Sequence, residues 1–287
     1  MLFGAHVSIA KGIWNAPTNA AKIDCEVFQM FTRSPQGGSV PPITDEIAQR
    51  FKEECKKNNQ KEWYVHAPYF INFASANPRI RHGSPNIIRQ ELERSSLIEA
   101  RYLMAHLGSY KDTGKEEGFK EVVKGLKTTL ESYEGTTEFL IEISAGAGSA
   151  IGSTFEELAE IIFHKDLEKF NIGICYDTEH AFASGYDIRT PETVEQTMKQ
   201  FDKVLGLKKL KMFHCNDSKI EFGGKKDRHE HIGEGFIGLD GFKSLLGYRK
   251  LDKINFIAET EHDKVVQDLE LLKSLRSAPH QKIVKRK

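Results

Sequence analysis

Metal-binding side chains recur at the ends of short apolar segments throughout this chain. Eight segments are rich in Val, Ile, Phe or Tyr, and seven of them end on a His, Asp or Glu residue. One such histidine would usually be an ordinary residue at the edge of the core, but seven in one chain are hard to obtain by chance. The residues are His6, His66, His106, Glu142, Asp177, His214 and Glu259. Imidazole and carboxylate ligands suit zinc, manganese or iron, so the pattern predicts a metal centre.

The number of candidate ligands predicts more than one ion. A single zinc ion takes three or four ligands from a protein, so seven candidates imply at least two ions. Two ions about 3.5–4 Å apart are a common device for in-line displacement at phosphorus. The lack of clustered cysteines favours a catalytic rather than a structural zinc site.

The segment KKDRHEH, residues 225–231, holds further candidates. Asp227 and His229 are two residues apart, so in an extended segment their side chains point to the same side. The pair could bind a metal, contact phosphate, or belong to a charged and solvated loop. His180 lies three residues after Asp177 and would complete a site of two histidines and one carboxylate.

The elements that must position these residues alternate along the whole chain. The predicted strands are residues 2–6, 26–31, 63–67, 102–106, 139–143, 172–177, 210–214 and 255–259. The predicted helices are residues 45–57, 86–100, 118–131, 155–163, 192–205 and 264–275, with starts marked by Thr154 and Pro191 for two of them. This α/β alternation predicts a single (β/α)8 TIM barrel, whose active site lies at the carboxyl ends of the strands. An open doubly wound sheet is the alternative, but no GxGxxG motif follows a strand.

Composition narrows the class of protein. Lys plus Arg and Asp plus Glu both number 41 among 287 residues, so any contact with nucleic acid depends on a local basic patch. The four cysteines form no CxxC pair, as is typical of reduced thiols in a cytoplasmic protein. No signal-peptide pattern or membrane-spanning apolar run is present in the sequence. We expect a monomer that binds no membrane, with one domain over residues 1–278 and a flexible basic tail over residues 279–287.

Four motifs are spaced along almost the whole chain. They are GAHVS (residues 4–8), DTEHAFASGYD (177–187), HCNDSK (214–219) and DRHEHIGEG (227–235). Together and in this order they resemble the endonuclease IV family, the zinc-dependent apurinic/apyrimidinic (AP) endonucleases of base-excision repair, also called AP endonuclease family 2.

The resemblance implies a trinuclear zinc centre on a TIM barrel, with manganese as an alternative at one or more positions and no organic cofactor. It also implies that one glutamate is shared by the first two ions. The implied ligands are His66, His106 and Glu142 for the first ion, Glu142, Asp177, His214 and Glu259 for the second, and His180, Asp227 and His229 for the third. His231 falls outside this set.

The activity that the resemblance implies is hydrolysis of the phosphodiester on the 5′ side of an abasic site in double-stranded DNA. The products would be a 3′-hydroxyl and a 5′-deoxyribose phosphate. The nucleophile would be a metal-bound hydroxide, since zinc lowers the pKa of bound water to about 7. Glu142 would be the catalytic residue that bridges two ions. We also expect 3′-phosphatase and 3′-phosphodiesterase activity, and a cytoplasmic enzyme that associates with the nucleoid on damage.

Loops at the active end of the barrel carry the expected DNA contacts. Loops after the second and third strands enter the minor groove in the family, which nominates Arg33, Gln36 and Tyr69. Basic residues beside the third site suit backbone phosphates, and they are Lys219, Lys225, Lys226 and Arg228. An abasic sugar has lost its stacking and pairing, so flipping it out of the duplex costs less than flipping a normal nucleotide.

Three segments depart from the family pattern. Glu142 is followed by Ile143, Ser144 and Ala145 where Asn-Thr is usual, Leu107 replaces a frequent Pro, and Glu179 stands where Cys is common. Glu179 could alter the metal preference of the site or point into solvent. Two other functions remain as alternatives. One is a metal-dependent sugar isomerase or epimerase on the same barrel type, which would leave the third group unused, and the other is a non-enzymatic DNA-binding protein with a partial metal set.

Overall fold

Parallel strands close into a barrel in a computed structural model that describes residues 1–38 and 40–277. In chain order the strands are β1 (Phe3–His6), β2 (Val27–Met30), β3 (Trp63–His66), β4 (Tyr102–Ala105), β5 (Glu138–Glu142), β6 (Gly173–Asp177), β7 (Leu210–His214), β8 (Asp217–Ser218), β9 (His229–Glu230) and β10 (Asn255–Ala258). β8 and β9 form a separate hairpin, and β10 pairs with β7 and β1 to close the ring. The TIM barrel is confirmed, and the open sheet is excluded. The predicted tail, residues 279–287, lies outside the described residues.

Helices follow the barrel strands and cover the outside of the barrel. They are α1 (Ala16–Lys22), α2 (Asp45–Lys57), α3 (Pro78–Leu97), α4 (Lys115–Leu130), α5 (Phe155–Ile162), α6 (Thr178–Ser184), α7 (Pro191–Val204), α8 (Gly238–Leu246) and α9 (Val265–Ser277). The sequence did not predict α1, α6 or α8, which have seven to nine residues and carry little periodic signal. α3 begins at Pro78 rather than at residue 86, because Asn77 caps it and Pro85 is accommodated inside the helix.

Two helix starts that the sequence marked are confirmed. The Thr154 hydroxyl accepts a hydrogen bond from the backbone N–H of Glu157 at 3.1 Å and caps α5. Pro191 occupies the first turn of α7, directly after Thr190, which forms a capping box with Thr193. These caps satisfy backbone N–H groups that have no partner within the helix.

Side chains that point into the barrel form two layers. The inner layer is mostly apolar or aromatic and consists of Val27, Tyr64, Tyr102, Met104, Leu140, Cys175, Met212 and Ile257. A residue two positions further along a strand points to the same side, so the next inward side chains lie at the carboxyl ends of the strands. In seven strands, or directly after them, these are Gln29, His66, His106, Glu142, Asp177, His214 and Glu259. The two-residue period of the strands therefore directs the candidate ligands into the mouth of the barrel.

The main hydrophobic core lies between the barrel and the helices. Aromatic pairs such as Phe213 and Phe256, with ring centroids 4.6 Å apart, fill this layer. All four cysteines are buried and free, in agreement with the expected reduced thiols. Within the described residues no helix is both long and apolar enough to cross a membrane.

The β8–β9 hairpin brings a second set of side chains over the barrel mouth. Its antiparallel register pairs Ser218 with His229. Its loop rests on α6, since the N–H of Gly223 donates to the Phe182 carbonyl at 3.1 Å. The loop that follows is held by Asp217, whose carboxylate accepts backbone hydrogen bonds including that of Ile237 at 2.9 Å. The hairpin is thus anchored to α6 through its loop and to the segment before α8 through Asp217.

Candidate metal centre

The barrel mouth forms an open cavity of about 470 Å3. Histidines and carboxylates dominate its walls, and they come from both the strand ends and the hairpin. The lining residues are His6, His66, Tyr69, His106, Glu142, His180, Asp227, His229, Glu259, Thr260 and His262. Three sets of these and neighbouring residues have ligand atoms close enough to surround a metal ion.

The first group consists of His66, His106 and Glu142. Its ligand atoms all lie within 4.8 Å of one another. The Nε2 atoms of His66 and His106 lie 3.0 Å and 3.4 Å from Oε2 of Glu142. The structure therefore brings together the ligands expected for the first ion.

The second group consists of Glu142, Asp177, His214 and Glu259, whose ligand atoms also lie within 4.8 Å of one another. Nδ1 of His214 lies 2.9 Å from Oε1 of Glu142 and 3.2 Å from Oε2 of Glu259. Glu142 thus faces the first group with one oxygen and the second group with the other. This is the geometry that a carboxylate shared by two ions needs.

The third group joins α6 to the hairpin. Nε2 of His180 lies 3.4 Å from Oδ2 of Asp227, and Nε2 of His229 lies 3.7 Å from Oδ1 of the same carboxylate. The three residues expected for the third ion are therefore adjacent. Carboxylate oxygens of Asp177 and Glu179 also lie within 4.8 Å of ligand atoms of the two histidines.

The orientation of the imidazoles fits metal ligation. In His66 the Nδ1 atom lies 2.6 Å from the backbone carbonyl of Ala67, and in His180 it lies 3.0 Å from that of Ile143. A carbonyl only accepts, so Nδ1 carries a proton in both rings, which leaves Nε2 as the atom available to a metal ion. Metal-binding histidines usually donate their other N–H to a carbonyl or carboxylate in this way. The donor set, made of imidazoles and carboxylates without thiolates, suits zinc or manganese.

The charge of Glu142 is stabilised by its neighbours. Burial alone raises the pKa of this carboxyl, but the charges of His106 and His214 and hydrogen bonds from His180 and His214 hold it well below its usual range. Burial lowers the pKa of His180, and Asp177 and the other carboxylates around it outweigh that effect and raise it. Glu142 is therefore an ionised carboxylate at a buried position, where a bound cation would be strongly stabilised.

Two positioning residues were not found from the sequence. Gln29 donates to Oε1 of Glu259 at 2.6 Å, and its own oxygen lies 2.7 Å from Nε2 of His214. Asn216 donates to Oδ2 of Asp177 at 2.7 Å and accepts from the backbone N–H of Glu259 at 2.8 Å. The signal for Gln29 was present, because it is a polar residue two positions after an inward-facing apolar one.

The side chain of Arg33 points into the protein, although a contact with DNA requires it to be exposed. Its side chain is buried, with Nε 2.5 Å from Oε1 of Glu91 and a second hydrogen bond to Gln90 at 3.1 Å. The guanidinium therefore anchors the loop after β2 to α3, and we remove Arg33 from the DNA-contact set. Gln36, in the same loop, is exposed.

The other candidate DNA contacts lie on the surface around the cavity. Tyr69 is 67% exposed. Its ring centroid lies 5.4 Å from that of Phe31 and 5.8 Å from that of His66. The basic residues of the hairpin loop are also exposed, and they are Lys219, Lys225, Lys226 and Arg228. Lys219 lies 3.7 Å from Glu261, so its charge is partly neutralised within the protein.

Glu179 and His231 are both buried. Glu179 is fully buried, so it does not point into solvent, and burial raises its pKa to about 7. His231 lies outside the three donor groups, and its Nδ1 is 2.8 Å from Oδ2 of Asp268. That ion pair connects the hairpin to α9.

Comparisons with known proteins agree with this geometry. The family model for xylose isomerase-like TIM barrels (AP_endonuc_2) matches residues 17–277. A probable endonuclease 4 from Halothermothrix orenii is 38% identical over 280 residues, which cover 96% of this chain and 99% of that protein. The structure of endonuclease IV from Thermus thermophilus has a TM-score of 0.82 at 26% identity and covers 96% of this chain and 98% of its own. A D-tagatose 3-epimerase-like protein has a TM-score of 0.75 at 20% identity over 96% of this chain and 97% of its own, a likeness of fold alone. The chain therefore belongs to the endonuclease IV family of AP endonucleases.

Proposed function

We propose that this protein hydrolyses the phosphodiester on the 5′ side of an abasic site in double-stranded DNA, using three zinc ions held by the three donor groups. The observation that carries the proposal is the position of Glu142, whose two oxygens face histidines of different groups. Nδ1 of His180, from the third group, lies 3.3 Å from the same carboxylate. A shared carboxylate supports closely spaced ions, the arrangement used for in-line displacement at phosphorus.

In this mechanism the side chains hold the ions and orient the phosphodiester, and no side chain has to act as the nucleophile. When bound, the ions lower the pKa of water and neutralise the charge of a phosphodiester. The described residues of the cavity wall include no serine or cysteine, and the hydroxyl of Thr260 donates to Asp268 at 2.6 Å. Glu142 would set the distance between the first two ions, and Asp227 and His229 would help to hold the third ion. Manganese at one or more positions would suit the same donors.

Exposed side chains around the cavity support recognition of the lesion in DNA. Tyr69 stands at the rim beside His66 and offers an aromatic face to a base next to the abasic sugar. Gln36 lies in the adjacent loop, where it can reach the minor groove. Lys225 and Lys226 lie on the hairpin loop next to the third group, where backbone phosphates would pass. An abasic sugar flips out easily and would enter a cavity of about 470 Å3.

Further activities follow from the same proposed chemistry. A 3′-phosphate or 3′-phosphoglycolate-type ester presents the same phosphorus centre without a downstream strand, so we propose 3′-phosphatase and 3′-phosphodiesterase activity. One chain supplies all three donor groups, so we propose that the enzyme acts as a monomer. Its place of action would be the cytoplasm, at the DNA of the nucleoid.

The experiment that tests this function identifies the ends of the product. A labelled duplex with one abasic site is incubated with zinc-loaded protein, and the cut strand is then offered to a DNA polymerase. Extension from the new 3′ end is expected, because hydrolysis on the 5′ side leaves a 3′-hydroxyl. A blocked 3′ end would indicate β-elimination and contradict the proposal. An uncut duplex together with epimerisation of a ketose would establish the sugar epimerase instead.

A further inference from the structure

Glu179 lies buried beside the third group, on the helix that carries His180. Its side chain is 0% exposed. One of its carboxylate oxygens lies within 4.8 Å of ligand atoms of Asp177, His180 and His229. Glu179 belongs to none of the three ligand sets that the family resemblance implies.

Only one oxygen of Glu179 is engaged by hydrogen bonds. Oε1 accepts from the Ser218 hydroxyl at 3.2 Å and from the backbone N–H of Arg228 at 3.1 Å. Oε2 is buried and has no hydrogen-bond partner among the described residues. Buried polar atoms are normally paired with a donor or a cation.

We propose that Glu179 is an additional ligand of the third metal ion. The inference rests on the proposed function, because it requires the third group to hold an ion. The third ion would then have two nitrogen and two oxygen ligands of its own, from Glu179, His180, Asp227 and His229. Glu179 shares one donor group with the two histidines, and Asp227 lies 3.4 Å and 3.7 Å from their Nε2 atoms. This assignment gives a role to the carboxylate oxygen that has no other partner.

A fourth protein ligand has a consequence for the choice of metal. Four ligands complete a tetrahedral zinc shell, whereas a catalytic ion keeps one position for water or substrate. An ion that accepts a phosphate oxygen as well must therefore take five or six ligands. A second carboxylate also shifts the donor set towards oxygen, which suits manganese better than a set with one carboxylate does. We therefore expect Glu179 to strengthen manganese binding more than zinc binding.

A competing role for Glu179 is purely structural. Its hydrogen bonds reach Ser218 in β8 and Arg228 just before β9, so it could serve only to fasten the hairpin to α6. Glu179→Gln separates the two roles, because the amide oxygen still accepts both hydrogen bonds while the neutral amide is a weaker metal ligand. Glu221→Gln is the matched control, since Glu221 is exposed in the same hairpin loop and loses the same charge.

The measurement is the dissociation constant of each bound ion, obtained by equilibrium dialysis with elemental analysis, for zinc and for manganese separately. Glu179→Gln is expected to raise the dissociation constant of the third ion by about tenfold or more, with a larger change for manganese than for zinc. The other two ions should bind as in the wild type. Glu221→Gln is expected to bind all three ions as the wild type does. Unchanged affinity for the third ion in a folded Glu179→Gln protein would overturn the inference and leave Glu179 as a fastening residue. Only two ions in the wild type would overturn the three-ion function as well, so the two failures are distinguishable.

A second measurement does not depend on how the variant folds. Crystals of the wild-type protein grown with zinc should place a Glu179 oxygen about 2.0–2.2 Å from the third ion. A bound third ion with both Glu179 oxygens outside that range would overturn the inference.

Discussion

The Nε2 atoms of His180 and His229 lie 3.4 Å apart, although one residue belongs to α6 and the other to the hairpin. In each ring Nδ1 faces a backbone carbonyl, that of Ile143 at 3.0 Å and that of Glu259 at 3.4 Å. Because a carbonyl only accepts, the neutral form of each ring keeps its proton on Nδ1 and directs the lone pair of Nε2 at the other ring. In the absence of an ion, a proton on Nε2 of His180 donates instead to Asp227, 3.4 Å away. A shared cation satisfies both lone pairs. Of the three interpretations of the KKDRHEH segment, this geometry favours metal binding.

Glu142→Gln should affect two ions at once. Glu142 faces His66 with one oxygen and His214 with the other, so a neutral amide weakens both groups. Loss of residues that merely support metal ligands costs about 10–100-fold, and we expect the loss of incision here to reach at least the upper end of that range. The measurement is zinc content per chain together with the incision rate. Glu138→Gln, at the other end of the same strand, should keep all its ions, and full zinc content in Glu142→Gln would contradict the shared-ligand role.

Gln29→Leu should lower the affinity for the second ion although it removes none of that ion's ligands. Gln29 orients both Glu259 and His214 by hydrogen bonds, and such supporting residues are worth about 10–100-fold in metal affinity. Competition with a chelator measures the affinity. Gln200→Leu, on the exposed face of α7, serves as the control and should bind zinc normally. Equal affinities for the two variants would show that Gln29 plays no positioning role.

Lys226→Ala should weaken binding to damaged and undamaged duplexes alike. A lysine that contacts phosphate releases about one counterion, so the slope of log affinity against log salt should fall by about 0.9. Fluorescence anisotropy at several salt concentrations measures this slope. Lys208→Ala, exposed just before the amino end of β7 and therefore opposite the cavity, should leave the slope unchanged. The same slope for wild type and Lys226→Ala would remove Lys226 from the interface.

Arg33→Ala should destabilise the protein rather than impair DNA binding directly. Removing Arg33 takes away the nearest charge partner of the buried Glu91 carboxylate, which keeps Thr32 at 2.6 Å and Arg94 at 3.7 Å. Breaking a buried pair that has no other partner costs roughly 3–5 kcal/mol, so we expect a loss below that range. Urea unfolding measures the change in the free energy of unfolding. Arg79→Ala, at an exposed position of α3, should change it by less than about 0.5 kcal/mol. A stable Arg33→Ala protein with reduced DNA affinity would restore the original prediction for Arg33.

Removing the ions should make stability fall as the pH rises. Burial lowers the pKa of His180, but Asp177 and hydrogen bonds to Asp227 and Glu142 outweigh it and raise the pKa well above 6.5. The stability that this charged histidine contributes is present below pH 6.5 and is lost as the pH rises through the raised value. Melting temperatures of chelated and zinc-loaded protein at about pH 6 and about pH 8.5 test this dependence. Only the chelated protein should melt earlier at the higher pH, and equal melting at both values would contradict the charge pattern.

The strand-borne ligands could be predicted from the sequence because the two-residue period of a strand is a local property. His66, Glu142 and His214 each follow an inward-facing residue by two positions, so their direction was fixed once the barrel was recognised. The third group depends on how a short helix and a hairpin pack over the barrel, which no local pattern encodes. The burial of Arg33 depends on Glu91, 58 residues further along the chain, and could not be seen in the loop itself.

The measurement that tests the central claim most directly is incision of a duplex carrying one tetrahydrofuran abasic analogue, compared with the undamaged duplex. Wild-type protein, chelator-treated protein and His229→Ala are assayed side by side, and zinc is then returned to the treated sample. We predict a cut immediately 5′ to the analogue that disappears on chelation, returns with zinc and falls by about 100-fold or more in His229→Ala. The analogue resists β-elimination, so a lyase could not produce this result. An intact duplex after incubation with zinc-loaded wild type, or a cut that survives chelation, would contradict the account.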